Sequence, residues 1–242
     1  MKGRLYRLNL HVHTVLSPCG GLLMTPGNII RRAEEKKLDV IAITDHNSAG
    51  NVEVAVQLAR GTSVTVLPGL EVETKEEVHT LCLFSQVEEA LQLQELIYDR
   101  LPNLKNREDV FGYQILTDLN DEYEKKVERM LAGAADIALE QLVKEVKSLG
   151  GVAIPAHINR VNGLLNQLGF IPPNLELAIL EIGSKAELVQ LQKQYPDHVF
   201  IKNGDSHYLK ELKAGFELKL TKPSLKEIKA TLIGRKGRKL IL

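Results

Sequence analysis

The apolar positions of the chain fall into short runs separated by polar segments with helical spacing. Seven runs are nearly continuous in apolar and β-branched residues, which is typical of strands buried on both faces of a parallel sheet. They are RLNLHV, LDVIAIT, VTVLPGL, HTLCLF, GVAIPAH, LAILEIG and VFIKNGD. Strands that alternate with helices predict an α/β fold with a mainly parallel sheet, either open or closed into a barrel.

Capping residues mark the expected helix boundaries. Thr25, which stands directly before a proline, predicts the start of the first helix. The second helix is expected to run from a capping Ser48 to a terminating Gly61. Two later helices are expected to start at Asp136 and at Ser184.

Residues 86–133 interrupt this alternation. The segment is mostly polar, its pattern is helical, and no clear strand is visible in it. It is therefore predicted to be a mostly helical insertion within a single domain that covers residues 1–242. Two interpretations stay open, since the insertion could cap one end of the sheet or pack as extra helices on its outside.

Composition narrows the classes of function. Lys plus Arg number 31 and Asp plus Glu number 31, so the net charge is +0. No global electrostatic field therefore favours binding of nucleic acid, although a nuclease with a local basic groove is compatible with this charge. Tryptophan is absent and aromatic residues make up 5% of the chain, which disfavours base-stacking platforms. The chain has 2 cysteines, too few for a disulfide framework.

No targeting or membrane segment is evident. The N-terminus lacks an apolar leader, and no stretch approaches ~18 uninterrupted apolar residues. We expect a cytoplasmic protein that does not contact a membrane. No obligate protein partner is evident from the sequence.

Metal-binding side chains follow five of the predicted strands, at the point where each strand ends. They are His11 and His13, Asp45 and His46, Glu71, His157, and Asp205 with His207. Residues at the carboxyl ends of strands line the active sites of α/β proteins. Imidazoles and carboxylates gathered there predict a centre that holds several metal ions.

Two further histidines do not fit this simple rule. His79 stands at the start of its strand and not at the end. It could still reach the other ligands if that strand runs antiparallel to its neighbours, or if it belongs to a hairpin that returns His79 to the same rim. The alternative is that His79 is a surface histidine. His198 lies in a helix-to-strand turn at the opposite end of the sheet and is predicted to be a surface residue.

Taken together, the segments HVHT, ITDHNS, GLEV, VHTL, PAH and GDSH resemble the polymerase and histidinol phosphatase (PHP) family of metal-dependent phosphoesterases. The resemblance covers almost the whole chain in order. It implies a distorted (β/α)7 TIM-like barrel of the PHP type with two or three divalent metal ions, usually zinc, manganese or iron. The count of seven strands agrees, but the closed barrel comes from the resemblance alone.

The resemblance also implies one group of ligands for each ion. The three groups are His11, His13 and Asp205; His79 and His157 with a bridging Glu71; and His46 and His207 with one further ligand. In many relatives that last ligand is Asp or His, but the loop VLSPCGG has neither, and Cys19 is its only good ligand. A thiolate binds zinc or iron well, and a buried neutral cysteine is the alternative.

The implied activity is hydrolysis of a phosphate ester of a small metabolite or nucleotide by a metal-bridging hydroxide, with Glu71 holding two ions close together. Asp45 has three open roles: metal ligand, partner that orients a histidine, or proton donor. Arg160 could hold a phosphate oxygen or be a solvated arginine. Lys185 and Lys202 are weaker candidates for the same contact.

Other functions remain open at this stage. PHP relatives include exonucleases, so an enzyme that releases 5′-nucleotides from short oligonucleotides is the first alternative. A non-catalytic, metal-stabilised regulatory domain is disfavoured because eight of the nine expected ligands are conventional ones. An amide hydrolase would use the same metal chemistry. The C-terminal run GRKGRK is interpreted as a solvated face rather than a nucleic-acid patch.

Overall fold

The computed structural model describes residues 3–234, so the GRKGRK run lies almost wholly outside the described residues. The strands are β1 (Arg4–Val12), β2 (Val40–Ile43), β3 (Thr65–Leu67), β4 (Gly69–Glu73), β5 (His79–Leu83), β6 (Ile115–Thr117), β7 (Tyr123–Lys126), β8 (Val152–Pro155), β9 (Ile179–Glu181), β10 (Val199–Ile201) and β11 (Phe216–Leu220). The α-helices are α1 (Pro26–Glu35), α2 (Val52–Leu58), α3 (Val87–Arg100), α4 (Glu108–Phe111), α5 (Leu139–Ser148), α6 (Leu164–Leu168), α7 (Leu188–Gln194) and α8 (Leu225–Ile233). No helix among these is long and apolar enough to cross a membrane.

The strands form a mixed α/β arrangement rather than the mainly parallel sheet expected. β1, β2 and β3 pair in parallel, as do β9 and β10, whereas β11 is antiparallel to β1 and the strands β4, β5 and β8 are antiparallel throughout. The run VTVLPGL, expected to be one strand, divides at Pro68 into β3 and β4. Proline lacks the N–H that a ladder needs, and the two halves pair with different neighbours.

A few backbone hydrogen bonds join neighbouring sheets at the carboxyl ends of the parallel strands. The N–H of Ser206 donates to His11 and that of His13 to Ser206, the N–H of Glu71 donates to Asp45 and that of Asn47 to Glu71, and the N–H of Ile158 donates to Glu181. The strands connected in this way follow the circular order β1, β2, β4, β5, β8, β9, β10 and β1 again. Regular ladders do not continue across these joins within residues 3–234. The closed (β/α)7 barrel therefore stays a prediction, which the circular order supports.

The interior of this ring is a hydrophobic core. It receives apolar side chains from β1, β2, β3, β5, β8, β9, β10 and β11, among them Leu8, Leu10, Leu81 and Ile154. A second core lies between the sheets and helices α1, α2, α3 and α5. With the interior filled by apolar side chains, polar groups on the strands can gather only at the ends of the ring.

Two of the four predicted helix starts are confirmed. The Thr25 hydroxyl caps α1 by accepting a hydrogen bond from the backbone N–H of Asn28, with Pro26 at the first position of the helix. Ser184 likewise caps the 3-10 turn Lys185–Glu187 that leads into α7. In both places the local sequence alone supplies the partner that the helix end requires.

The other two predicted starts are wrong by several residues. The Ser48 hydroxyl donates to the side chain of Gln94, 2.8 Å away on α3, and α2 begins only at Val52. The backbone N–H of Asp136 donates to the carbonyl of Arg100, and α5 begins only at Leu139. Tertiary hydrogen bonds therefore replace the expected caps at both places.

The region 86–133 is less helical than expected. It contains the long helix α3 and the single turn α4, followed by an antiparallel hairpin of β6 and β7. All four residues of β7 are exposed, so no apolar alternation marks it in the sequence. The buried face of α3 belongs to the core on the outside of the sheet, and the hairpin reaches the loop after β1, where the Ile115 N–H donates to the carbonyl of Val15.

Candidate metal centre

A bulge in β1 directs His11 and His13 into one cluster. Leu8 and Leu10 point into the ring core, so simple alternation would turn His11 outward. The pairing of β1 with β2 shifts between Asn9 and Val12, and the Asn9 side chain accepts the backbone N–H of His11. The shift turns both imidazoles inward, where their Nε2 atoms lie 3.0 Å apart.

Glu71 occupies the middle of the cluster. Its carboxylate is buried, and five imidazole nitrogens lie 3.1–3.5 Å from its two oxygens. They belong to His11, His13, His46, His79 and His157. Burial acts to raise the pKa of Glu71, but the surrounding imidazoles, that of His11 foremost, hold it well below its usual value. A carboxylate placed between several imidazole groups has the geometry of a bridging ligand.

The hairpin of β4 and β5 places His79 in the cluster. Because the two strands are antiparallel, the start of β5 lies beside the end of β4, and His79 pairs with Glu73. The expected hairpin is confirmed, and the alternative of a surface histidine is wrong. Burial acts to lower the pKa of His79, but the Glu71 carboxylate outweighs it and raises the pKa to about 9.

The group His11, His13 and Asp205 has the spacing of ligands around one ion. The carboxylate oxygen of Asp205 lies 3.4 Å from Nε2 of His11 and 3.6 Å from Nε2 of His13. Ligands about 2.0–2.2 Å from a tetrahedral zinc ion lie roughly 3.3–3.6 Å from one another. These atoms are therefore already close to the positions that a single bound cation requires.

Hydrogen bonds fix the ring tautomers of His11 and His13. Nδ1 of His11 donates to the Glu181 carboxylate at 2.9 Å, so Nε2 is the ring nitrogen that faces the cluster. Nδ1 of His13 lies 2.9 Å from the Ser17 hydroxyl, which itself donates to Asp45 at 2.6 Å and so accepts from the ring. Two imidazole nitrogens 3.0 Å apart must share either a proton or a metal ion, so this donor set fits a bound cation.

Asp45 lies behind the cluster and not in it. Its carboxylate accepts the N–H and the hydroxyl of Thr14, both at 2.7 Å, and the hydroxyl of Ser17. It belongs to none of the groups whose ligand atoms converge in the described residues. Burial raises the pKa of Asp45 against the effect of these donors. Of the three roles left open by the sequence, this placement favours the orientation of His13 through Ser17.

Cys19 lies with three imidazoles at the rim of the centre. Its thiol converges with His13, His46 and His207, with ligand atoms within 4.8 Å of one another. Cys19 is exposed, so the alternative of a buried neutral cysteine is wrong. Partial desolvation acts to raise the pKa of its thiol, but hydrogen bonds from His207 and His46 outweigh it and lower the pKa to about 6. A third group, His46, Glu71 and His79, converges in the same way. The three converging groups share His13 and His46, so they form one continuous cluster.

His157 and Asp205 hold unusual backbone conformations. Their φ angles are +30° and +47°, a region that residues other than glycine rarely enter. Nδ1 of His157 is buried without a hydrogen-bond partner among the described residues. Unusual backbone conformations persist only where the surrounding structure imposes them, and they are common at functional sites. Here they occur at two of the residues that belong to the cluster.

The remaining predicted residues lie outside the cluster. Arg160 forms an ion pair with Asp205 at the mouth of the site. Lys202 donates to the carbonyl of Gly183, and Lys185 is exposed on its 3-10 turn. His198, predicted to be a surface residue, is half-buried instead, because it packs against Tyr195 beside a cavity at the other end of the strands.

A cavity of about 530 Å³ opens over the cluster. Its floor contains Glu71, His46, His79 and His157, and its wall contains three asparagines, Asn159, Asn162 and Asn166. Amide side chains can both donate and accept hydrogen bonds. The cavity can therefore admit a polar ligand directly to the centre.

Sequence reasoning missed the two residues that orient the histidines. Glu181 ends strand β9, the same position that marked the ligands on other strands, so a signal for it was available. Ser17 has no such signal, because its hydroxyl is positioned for His13 by Asp45 and by the backbone of His46, which lie 28 and 29 positions away.

The fold and the cluster define an α/β protein whose strand ends carry a histidine- and carboxylate-rich centre suited to metal ions. A model of the PHP domain matches residues 9–138, more than half of the chain. The chain belongs to the PHP domain family.

Two curated proteins share shorter stretches with the chain. It is 36% identical over 75 residues to a protein of Salmonella typhimurium named 5′-3′ exoribonuclease Rnm, a match that covers 30% of this chain and 25% of that protein. It is 34% identical over 101 residues to the uncharacterized protein MJ1587 of Methanocaldococcus jannaschii, a match that covers 38% of this chain and 58% of that protein. The chain thus spans well under two thirds of the length of either relative.

Solved structures share the fold at low sequence identity. The lesion-specific endonuclease PfuEndoQ from Pyrococcus furiosus superposes with a TM-score of 0.75 at 18% identity, over 99% of this chain and 58% of that chain. An amidohydrolase from Chromobacterium violaceum superposes with a TM-score of 0.60 at 18% identity, over 94% of this chain and 96% of that chain. At these identities the likeness establishes the fold alone.

Proposed function

We propose that this protein is a metal-dependent phosphoesterase that hydrolyses a phosphate ester of a small metabolite or nucleotide. The observation that carries the proposal is the buried Glu71 carboxylate among five imidazoles, at the floor of an open cavity. A site that gathers so many neutral or anionic donors is suited to binding cations and, through them, an anionic substrate.

Two or three divalent ions would be held by the three groups of ligands. They are His11, His13 and Asp205; His79 and His157 with Glu71; and His46 and His207 with Cys19. Imidazole donors with few carboxylates and one thiol suit zinc or iron better than manganese, magnesium or calcium. Such ions supply a hydroxide at neutral pH and neutralise charge on a phosphoryl group.

The other residues act through position and charge. Glu181 holds the ring of His11, and Asp45 holds that of His13 through Ser17, so each presents Nε2 to the centre. Arg160 neutralises Asp205 and lies where its remaining N–H groups can meet a phosphate oxygen.

A second candidate function is an exonuclease that releases 5′-nucleotides from short oligonucleotides. The openness of the cavity favours it, because an extended strand could enter as easily as a small ester. The match to a protein named as an exoribonuclease supports it as well. The amide hydrolase considered from the sequence has a structural neighbour named as an amidohydrolase.

Screening distinguishes these functions. The purified protein, loaded in turn with zinc, manganese or iron, is assayed on phosphomonoesters, dinucleotides, short single strands and amides. We expect release of phosphate or of mononucleotides, with Glu71→Gln as the control for contaminating phosphatases. Cleavage of amides alone, or no turnover on any substrate by a metal-loaded protein, would refute the proposal.

Cys19 is expected to be protected from alkylation while metal is bound. A coordinated thiolate reacts slowly, whereas the metal-free thiol, with its lowered pKa of about 6, is reactive near neutral pH. Iodoacetamide labelling followed by mass spectrometry, with and without a chelator, measures the difference. Cys82, buried inside β5 with a raised pKa, serves as the internal control.

The matched variants test the same assignment. Cys19→Ser should lose one metal ion and much of the activity, whereas Cys82→Ser should only perturb packing. Equal labelling of Cys19 in both states, together with unchanged activity of Cys19→Ser, would remove this residue from the ligand set.

A further inference from the structure

A second cavity adjoins the metal centre on the side of the 3-10 turn Leu209–Glu211. It has a volume of about 790 Å³ and shares Arg160, Asp205 and His207 with the cavity over the cluster. The two cavities are therefore parts of one groove that crosses the centre. The added wall contains Tyr208, Lys210 and Lys213, none of which belongs to the proposed ligand set.

The ring of Tyr208 packs beside Gly21 while about half of the residue stays exposed. Its relative exposure is 49%, unusual for a residue next to a largely buried cluster. A Cβ atom at position 21 would lie only 2.8 Å from the ring, so Gly21 allows the ring to lie against the loop after β1. The Glu211 carboxylate fixes the turn by accepting the backbone N–H groups of His207 and Tyr208 at 3.0 and 3.1 Å.

Two lysines lie on the same wall as this ring. The Lys210 ammonium lies 5.4 Å from the ring centroid, and Lys213 lines the same cavity. Glu211 is the other carboxylate on this wall besides Asp205, and its Oε2 atom already accepts two backbone N–H groups. An exposed aromatic ring beside lysines, in a groove that leads to a hydrolytic centre, is the combination that binds single-stranded nucleic acid.

We propose that this part of the groove binds the nucleoside next to the phosphate at the metal centre, with its base stacked on Tyr208 and its following phosphate near Lys210 and Lys213. The inference rests on the metal-dependent phosphoesterase chemistry proposed above and favours its second candidate, an enzyme that acts on short single-stranded oligonucleotides. It also revises the argument from composition. One well-placed tyrosine supplies a stacking surface that an aromatic content of 5% disfavours.

The absence of tryptophan allows a direct test of stacking. Tyr208→Trp creates the only tryptophan in the chain, and its fluorescence is followed as metal-loaded protein is titrated with a tetradeoxyadenylate whose phosphorothioate links slow hydrolysis. We expect saturable quenching by the oligonucleotide and none by ribose 5-phosphate, which has no base. Tyr195→Trp, which precedes β10 at the opposite end of the strands, is the matched control and should not respond.

Kinetics provide a second, independent readout. Tyr208→Ala should raise KM for an oligonucleotide about tenfold, while Tyr208→Phe keeps the ring and stays near wild type. Lys213→Ala should make the salt dependence of binding shallower by about 0.7 in log–log slope, and Lys219→Ala, an exposed lysine on β11, should not.

The outcomes separate this inference from the proposed function. Equal quenching of both tryptophan variants, no quenching at position 208, or an equal loss of turnover on base-free esters in Tyr208→Ala would overturn the nucleoside subsite. Failure of the metal-loaded protein to hydrolyse any ester would refute the phosphoesterase proposal, while the fluorescence titration would still report whether a base stacks on Tyr208.

Discussion

Glu71→Gln is expected to lower kcat by on the order of 10³-fold while KM for the substrate changes far less. Glutamine keeps the size of the side chain but is neutral, and one of its two polar atoms becomes an NH₂ group. At a position where five imidazole nitrogens approach within 3.5 Å, an amide can bind a cation through one oxygen only. The variant should therefore lose the bridge between ions and retain the cavity that binds substrate.

The test combines steady-state kinetics with elemental analysis of the variant. Glu77→Gln, an exposed residue in the turn of the same hairpin, makes the same chemical change away from the centre and should behave as wild type. A Glu71→Gln protein that keeps both its metal content and most of its kcat would show that the carboxylate does not bridge.

Metal removal is expected to abolish activity and to destabilise the fold strongly. Each ion bound at a concentration 1,000 times its dissociation constant stabilises the folded state by about 4 kcal/mol. In a chain of this size, about 4 kcal/mol corresponds to a fall in Tm of roughly 8–16 °C. The buried donors make the loss severe, because after chelation the imidazoles and the Glu71 and Asp205 carboxylates must satisfy one another with protons alone.

Thermal unfolding of the protein before and after dialysis against a chelator measures this effect. Elemental analysis of the reconstituted protein should find more than one ion per chain, and readdition of zinc or manganese should restore both Tm and turnover. One equivalent or less after reconstitution, or an unchanged Tm in the chelated protein, would contradict a centre of this kind.

Apolar runs were sufficient to locate the strands that build the ring, because a buried strand must be apolar on both faces. The direction of pairing was not accessible in the same way. The antiparallel course of β4, β5 and β8 depends on a tight turn between β4 and β5 and on Pro68, which ends the preceding strand. The hairpin of β6 and β7 was missed because its exposed strand has no apolar pattern.

For the centre, the sequence indicated residue types and strand ends but not orientation. With simple alternation along β1, His11 would point outward because its neighbour Leu10 points inward. Only the bulge that follows Asn9 turns His11 and His13 inward. Contacts between distant segments were equally inaccessible. Ser17 and Tyr208 acquire their positions from tertiary packing, for which a single sequence contains no periodic signal.

The separation of the ligands along the chain has a consequence for biosynthesis. His11 and Asp205 converge on one proposed ion although 193 residues lie between them in the chain, and β1 also pairs with β11 near the end of the described residues. A ribosome releases the N-terminal segments first, so a nascent chain that has emerged only as far as β8 lacks the carboxylate that closes this group. We expect newly made protein to capture its ions late, and to depend on the metal supply of the cell at the moment when β10 and the turn after it fold into place.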